Sequence, residues 1–135
     1  MPVVEGYPYM SSQTRLERGF ELLEGKVGDL TREDLMEVLA DHYEGTTMYD
    51  TAHGNPNFRT ICSRRTVSAI AAQFKPQLPS EMQLMWYCIS SPCISVFMPV
   101  YANISVVPDP YLTGTGPEDI GSYDPGSAWW VFKKI

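Results

Sequence analysis

The first third of the chain carries apolar residues at the spacing of an α-helix. Leu16, Phe20 and Leu23 fall at i, i+4 and i+7, which places them on one face of a period of about 3.6 residues. Ser11 or Ser12 precedes this stripe and is suited to cap the helix. The pattern predicts a first helix that ends at the glycines a few residues beyond Leu23.

A second helix has the clearest start signal in the sequence. Thr31 is a good N-cap, and Asp34 stands three residues later, where the acidic member of a capping box belongs. Leu35 and Val38 begin an apolar stripe behind it. We predict that this helix continues as far as Gly45.

Alternating and continuous apolar runs then predict strands. The candidates are Phe58–Ser63, Thr66–Phe74, Met82–Ser90 and Ile94–Val100, with a turn at Ser91-Pro92 that makes a hairpin of the last two. Neither face of the final strand looks freely solvated, which favours a covered sheet. Two helices followed by an antiparallel sheet predict an α+β fold, and the length predicts a single domain over residues 1–135.

The end of the chain changes character. Residues 103–126 form a long segment rich in proline and glycine, and loops of that length usually line a site or lie against a partner. The aromatic segment Ser127–Phe132 follows and needs a surface to cover it. That surface is either the chain's own sheet or residues outside the chain.

Charge and composition exclude several classes of partner and indicate where the protein is located. Ten basic against sixteen acidic residues give a net charge of −6, which disfavours nucleic acid, and Arg64-Arg65 is too small a basic cluster to reverse this. No apolar run approaches the roughly 20 residues that span a bilayer, so no membrane partner is expected. The start of the chain does not resemble a secretory signal, and three cysteines without a CxxC pair are typical of reduced thiols. The expected location is the cytoplasm.

The residues with chemical potential are few. Arg15 and Arg18 lie three residues apart on the first helix, and spacing alone interprets them as a solvated face together with acidic neighbours. His42 and His53 are the only histidines, so no metal site or cofactor is predicted. Cys62 paired with either histidine is an alternative nucleophile, although cysteines in strands are mostly inert packing residues.

Several separated motifs together resemble one family, the dipeptidase-A-type cysteine peptidases of the N-terminal-nucleophile hydrolase superfamily. A Ser-Ser-x-x-Arg helix start, a capped helix ending in Asp-His-Tyr-Glu-Gly-Thr, an Arg-Thr-Ile-Cys segment with later Leu-Pro and Pro-x-Tyr, and a late Ser-x-Trp-Trp-x-Phe carry the likeness. They lie in Ser11–Leu23, Leu30–Thr51, Phe58–Tyr111 and Gly126–Phe132.

This resemblance implies an αββα sandwich in which an N-terminal cysteine attacks the amide bond of a dipeptide or related small amide. The free α-amino group of that cysteine is the base, and no metal is needed. Arg15 matches the arginine that the family places beside the nucleophilic sulfur, where a guanidinium would favour the thiolate. Arg15 is therefore expected to be a supporting site residue.

The sequence departs from the family at the nucleophile. Cys62, Cys88 and Cys93 are all internal, and no segment matches the cysteine strand that opens the family's mature chain. The expectation is a fragment of a larger catalytic domain that is inactive alone and whose missing half or partner chain supplies the nucleophile. The alternative is a non-catalytic interaction module that self-associates into a homo-oligomer.

Overall fold

The computed structural model describes residues 10–50, 59–113 and 123–134. Its described elements are three α-helices, several short 3-10 turns and one three-stranded antiparallel sheet, so the predicted α+β class is confirmed. The chain divides into two compact units, Met1–Arg64 and Arg65–Ile135. Among the helices of the described ranges, none has the length and hydropathy required to cross a membrane.

The first described element of the first unit is the predicted helix, α1, at Met10–Leu23. A 3-10 turn at Glu24–Lys26 extends it, and Gly28, at φ +96, then reverses the chain in a conformation that favours glycine. The apolar stripe of α1 is open: the exposed fraction is 59% for Leu16 and 68% for Phe20. The first helix therefore presents apolar surface that the described residues leave uncovered.

The second helix, α2, spans Arg32–Ala40 and starts as its sequence predicts. The Thr31 hydroxyl accepts a hydrogen bond from the Asp34 N–H at 3.2 Å, and the Asp34 carboxylate accepts one from the Thr31 N–H at 2.8 Å. Lys26 forms an ion pair with the same carboxylate. Lys26 first, and then the Thr31 hydroxyl and N–H, lower the pKa of Asp34 to about 2.

The predicted continuation of α2 to Gly45 is wrong, because the helix ends at Ala40. Asp41 is extended, at φ −66 and ψ 135, and its carboxylate accepts a hydrogen bond from the Tyr43 N–H at 2.9 Å. Tyr43 in turn lies in the left-handed region at φ 64. A local bond from side chain to backbone thus replaces the next helical hydrogen bonds, as aspartate commonly does at helix ends.

The predicted strand Phe58–Ser63 is also wrong over residues 59–63, which form coil and bends; Phe58 lies outside the described residues. The Thr60 hydroxyl donates to the Cys62 carbonyl, and the Cys62 N–H donates to the Asp41 carbonyl at 2.9 Å. The N–H of Cys62 is therefore bonded to the turn after α2, and its carbonyl is bonded to the Thr60 side chain. Neither group pairs with a neighbouring strand among the described residues.

The second unit contains the sheet, with β1 at Ser68–Gln73, β2 at Leu84–Ile89 and β3 at Phe97–Tyr101, paired antiparallel in that order. The predicted hairpin is confirmed with shorter strands and a 3-10 turn at Pro92–Ile94. Pro99 lies in β3, an edge strand, where a residue without an N–H is tolerated.

One sheet face lines an apolar cavity of about 380 Å³. Ile70 pairs with Tyr87 and Tyr87 with Met98, so these three side chains share that face. Residues 104–111, from the predicted long loop, line the same cavity through Ile104, Val107, Pro108 and Tyr111. The described part of this loop therefore lies against the sheet; residues 114–122 are outside the described ranges.

The aromatic segment forms a short helix, α3, at Ala128–Lys133, which contacts β2 and the 3-10 turn at Asp109–Tyr111. Trp129 and Trp130 meet edge to face with ring centroids 4.7 Å apart. The sequence allowed two surfaces to cover these aromatic residues, the chain's own sheet or residues outside the chain. The structure supports the sheet.

The capping box of α2 predicts a specific pH dependence. Because the folded-state pKa of Asp34 is depressed, its contribution to stability is present above the unfolded pKa of about 3.9 and is lost as pH falls through about 2. Asp34→Asn should therefore unfold at lower urea concentration than the wild type at pH 7, and the difference should shrink as the pH falls from 4 towards about 2. Glu17→Gln, at an exposed acidic residue of α1 outside the capping box, is the control. An Asp34→Asn deficit that is as large at pH 2 as at pH 7 would contradict the assignment.

Candidate active site

Arg15 lies on the exposed face of α1, beside an open groove of about 440 Å³ in the first unit. Most of the groove's wall consists of apolar side chains, from α1 itself, from α2 and from the segment before Arg64. We call it the Arg15 groove, and its principal lining residues are Arg15, Leu16, Phe20, Leu23, Val38 and Ile61.

Arg15 has no hydrogen bond or ion pair among the described residues. Its Nε is buried without a partner, while the residue as a whole is half-buried. A guanidinium keeps its charge at all ordinary pH values, and an unsatisfied buried donor costs free energy. The described part of the first unit thus holds a permanent positive charge against an apolar wall, and none of its described residues supplies an anion to match that charge.

Gly19 keeps the groove open. It lies in the interior of α1, where glycine is less favourable than alanine by roughly 1 kcal/mol. A side chain built on Gly19 would meet nothing within 4 Å, so packing does not require a glycine here. The effect of the glycine is to leave the space beside Arg15 empty.

The prediction that Arg18 lies on a solvated helix face is wrong. Its side chain is buried, with an exposed fraction of 7%, and its Nε and Nη2 donate to the Asp41 carboxylate at 2.9 to 3.2 Å. Nη2 also donates to the Glu44 carbonyl at 2.9 Å, and Nη1 pairs with Glu21 at 3.1 Å. The hydrogen bond to Asp41, above all, raises the pKa of Arg18 against the opposing effect of burial.

This buried pair fixes the orientation of Arg15. Arg18 attaches one face of α1 to the turn that follows α2, because it binds Asp41 at the start of the turn and Glu44 near its end. Arg15, one helical turn earlier, is then directed to the neighbouring face, on which Leu16 and Phe20 lie. Arg18 and Asp41 are 23 residues apart, and no periodic pattern in the sequence predicts that they pair.

The alternative nucleophile, Cys62, does lie beside His42. A ring nitrogen of His42 and the Sγ of Cys62 are within 4.8 Å, and the His42 Nδ1 is 3.1 Å from Glu44 Oε1. Burial disfavours the charged form of Glu44, but hydrogen bonds from the His42 N–H and ring lower its pKa overall. Cys62, however, has an exposed fraction of 0%, so no substrate carbonyl can approach its sulfur in this conformation.

The remaining thiols do not resemble an activated nucleophile. Cys88 is buried in β2, and burial raises the pKa of its thiol, which opposes formation of a thiolate. Cys93 is exposed on the 3-10 turn after β2, and none of the chain's three cysteines forms a disulfide. His53, the other histidine of the alternative, lies outside the described residues.

The Arg18–Asp41 pair predicts a large and coupled effect on stability. Arg18→Met leaves the Asp41 carboxylate buried without its cation and should lower the free energy of unfolding by about 3–5 kcal/mol. Glu21→Gln removes only the exposed partner of Arg18 and should cost less than about 1 kcal/mol. Urea denaturation measures both.

The double variant Arg18→Met with Asp41→Asn tests the coupling. The asparagine oxygen can still accept the Tyr43 N–H, so the double variant should lose less than the sum of the single variants. Strictly additive losses would show that the two side chains do not act as a pair.

Comparison with known proteins bears on this site. The family model described as Peptidase family C69 matches residues 8–135 and so covers all three described helices and the sheet. Searches of curated proteins and of solved structures each gave no significant match. The extent of the family match confirms the resemblance that the sequence motifs indicated: the chain belongs to peptidase family C69, the dipeptidase-A-type cysteine peptidases.

Proposed function

We propose that the chain supplies the later part of a cysteine dipeptidase catalytic domain, with an αββα sandwich as its complete fold. The observation that carries this is the match to peptidase family C69 over residues 8–135. The three-stranded sheet and the two helices of the first unit would contribute to the layers of that sandwich. Polypeptide beyond the described elements would complete it.

In this proposal, Arg15 stands beside the nucleophilic sulfur. Its guanidinium has no anionic partner among the described residues, and a thiolate would supply one. The sulfur would come from an N-terminal cysteine that is not one of the three internal cysteines. Two of those, Cys62 and Cys88, are buried, which agrees with a packing role.

The reaction would follow the order that such a nucleophile requires. The α-amino group takes the thiol proton, the sulfur attacks the amide carbonyl, and the proton passes to the departing amine. Water then hydrolyses the thioester and regenerates the thiol. The positive charge of Arg15 would stabilise the thiolate at the start of each cycle.

A reconstitution assay tests the proposal. The 135-residue chain alone should not hydrolyse a dipeptide such as leucyl-leucine, whereas a mixture or fusion with a polypeptide that presents the N-terminal cysteine should. In the active form, Arg15→Gln should lower kcat/KM by roughly 10- to 100-fold, because the charge that favours the thiolate is lost. Arg32→Gln removes a guanidinium from α2, outside the groove, and should leave the rate unchanged.

If the chain alone hydrolyses the dipeptide at a robust rate, the proposal that it needs a nucleophile from another polypeptide is wrong. Loss of that turnover in Cys62→Ala would then assign the activity to Cys62 paired with His42 or His53. Retention in Cys62→Ala would exclude either pair as well.

A second candidate is a non-catalytic module that self-associates. The exposed Leu16 and Phe20 on α1 favour it, and so do the two edge strands β1 and β3 of the sheet. If this is the function, sedimentation should show a dimer at micromolar concentration. Leu16→Ser with Phe20→Ser should then shift it to monomer, whereas Val27→Ser, at a still more exposed apolar residue outside the stripe, should not. A wild-type chain that stays monomeric at high concentration contradicts this candidate.

A further inference from the structure

We infer that the Arg15 groove binds the carboxylate of a peptide's C-terminal residue and prefers residues with an apolar side chain. This rests on the proposed function, because it names the part of the substrate that the groove would hold. The ligand class is a monocarboxylate attached to a branched or aromatic apolar group.

The charge of the groove indicates the anionic part of the ligand. Arg15 makes no ion pair or hydrogen bond within the described residues, and of its nitrogens Nε is the one buried without a partner. The planar guanidinium matches a carboxylate in a two-point geometry. The other arginine of α1, Arg18, is already bound to Asp41 and is not available.

The walls of the groove indicate the apolar part. Leu16, Phe20 and Leu23 line one side, and Val38 and Ile61 line the other. Its volume of about 440 Å³ lies within the range typical of small-molecule sites, roughly 300–1,000 Å³. An apolar side chain next to a carboxylate would cover Leu16 and Phe20, which are otherwise 59% and 68% exposed.

Gly19 provides a second, independent observation. It lies on the same face as Arg15 and Phe20, and the space above it is open. A glycine in a helix interior lowers helix stability, and here no neighbouring atom requires it. Its absent side chain is what leaves room for a ligand beside the guanidinium.

The same guanidinium can serve a thiolate and a carboxylate in one complex. In a dipeptide the free carboxylate belongs to the residue whose nitrogen is the leaving group, so a cation beside the attacking sulfur is also near that carboxylate. Arginine has donors along more than one edge of its planar group. The groove would thus position the leaving residue while the sulfur attacks.

Binding to the 135-residue chain tests the inference without any turnover. The probes are N-acetyl-leucine, which has both the carboxylate and the apolar group, N-acetyl-leucinamide, which lacks the charge, and acetate, which lacks the apolar group. Titration followed by NMR chemical shifts should give N-acetyl-leucine a Kd on the order of 1 mM. The amide and acetate should each bind roughly tenfold more weakly or not at all.

Four variants locate the site. Arg15→Gln should weaken binding of N-acetyl-leucine by roughly 10- to 100-fold, with Arg32→Gln as the matched control that retains it. Gly19→Leu fills the groove while raising helix propensity and should abolish binding without loss of fold. Gly25→Leu, at another open glycine outside the groove, should bind as the wild type does. Circular dichroism checks that each variant is folded.

The outcomes separate this inference from the proposed function. Equal affinity for N-acetyl-leucine and its amide, or unchanged binding in folded Gly19→Leu, would overturn the carboxylate site. The reconstituted enzyme gives a further test: if it hydrolyses leucyl-leucine and leucyl-leucinamide with equal kcat/KM, the inference fails and the dipeptidase proposal stands. If the chain binds N-acetyl-leucine selectively but the reconstituted enzyme is inactive, the carboxylate site stands and the dipeptidase proposal fails.

Discussion

The first unit depends on a buried ion pair between Arg18 and Asp41. Two charged groups with exposed fractions of 7% and 5% are stable there only because each finds its partner and further hydrogen bonds. Arg18 binds the carboxylate and the Glu44 carbonyl, and the carboxylate also accepts the Tyr43 N–H. This network ends α2, holds Tyr43 in its left-handed conformation and attaches α1 to the turn.

The two faces of α1 differ because of this pair. The face with Arg18 has its polar groups satisfied by Asp41, Glu44 and Glu21. Within the part of the chain that the structure describes, the face with Arg15 has a guanidinium without an anion, an apolar stripe that is largely exposed and a glycine that packing does not require. Each of these features lowers stability on its own, and natural proteins commonly accept such losses at sites where they act on another molecule.

The sequence was sufficient where the determining interaction is local. The capping box of Thr31 and Asp34 involves residues three positions apart, and the hairpin of β2 and β3 follows from two apolar runs around a short turn. Arg15 was identified through its motif, and the structure adds the groove beside it, but its role as a site residue remains a prediction. The end of α2 and the expected strand at 58–63 failed for a common reason: both segments are fixed by Asp41, through its contact with Arg18 and through the Cys62 N–H. Arg18 and Asp41 are 23 residues apart, so a local sequence pattern cannot reveal their contact.

The contrast between the two arginines shows why charge alone could not locate the site. The chain has a net charge of −6, and Arg18 and Arg32 both have acidic partners in the structure. Arg15 is on the same helix as Glu17 and Glu21, yet Gln13 binds Glu17 and Arg18 binds Glu21. At two and six positions after Arg15, both acids also lie on other faces of the helix, so neither is placed to neutralise Arg15. An anion from outside the described residues is the remaining partner of the right charge, whether it is a thiolate, a carboxylate or both in turn.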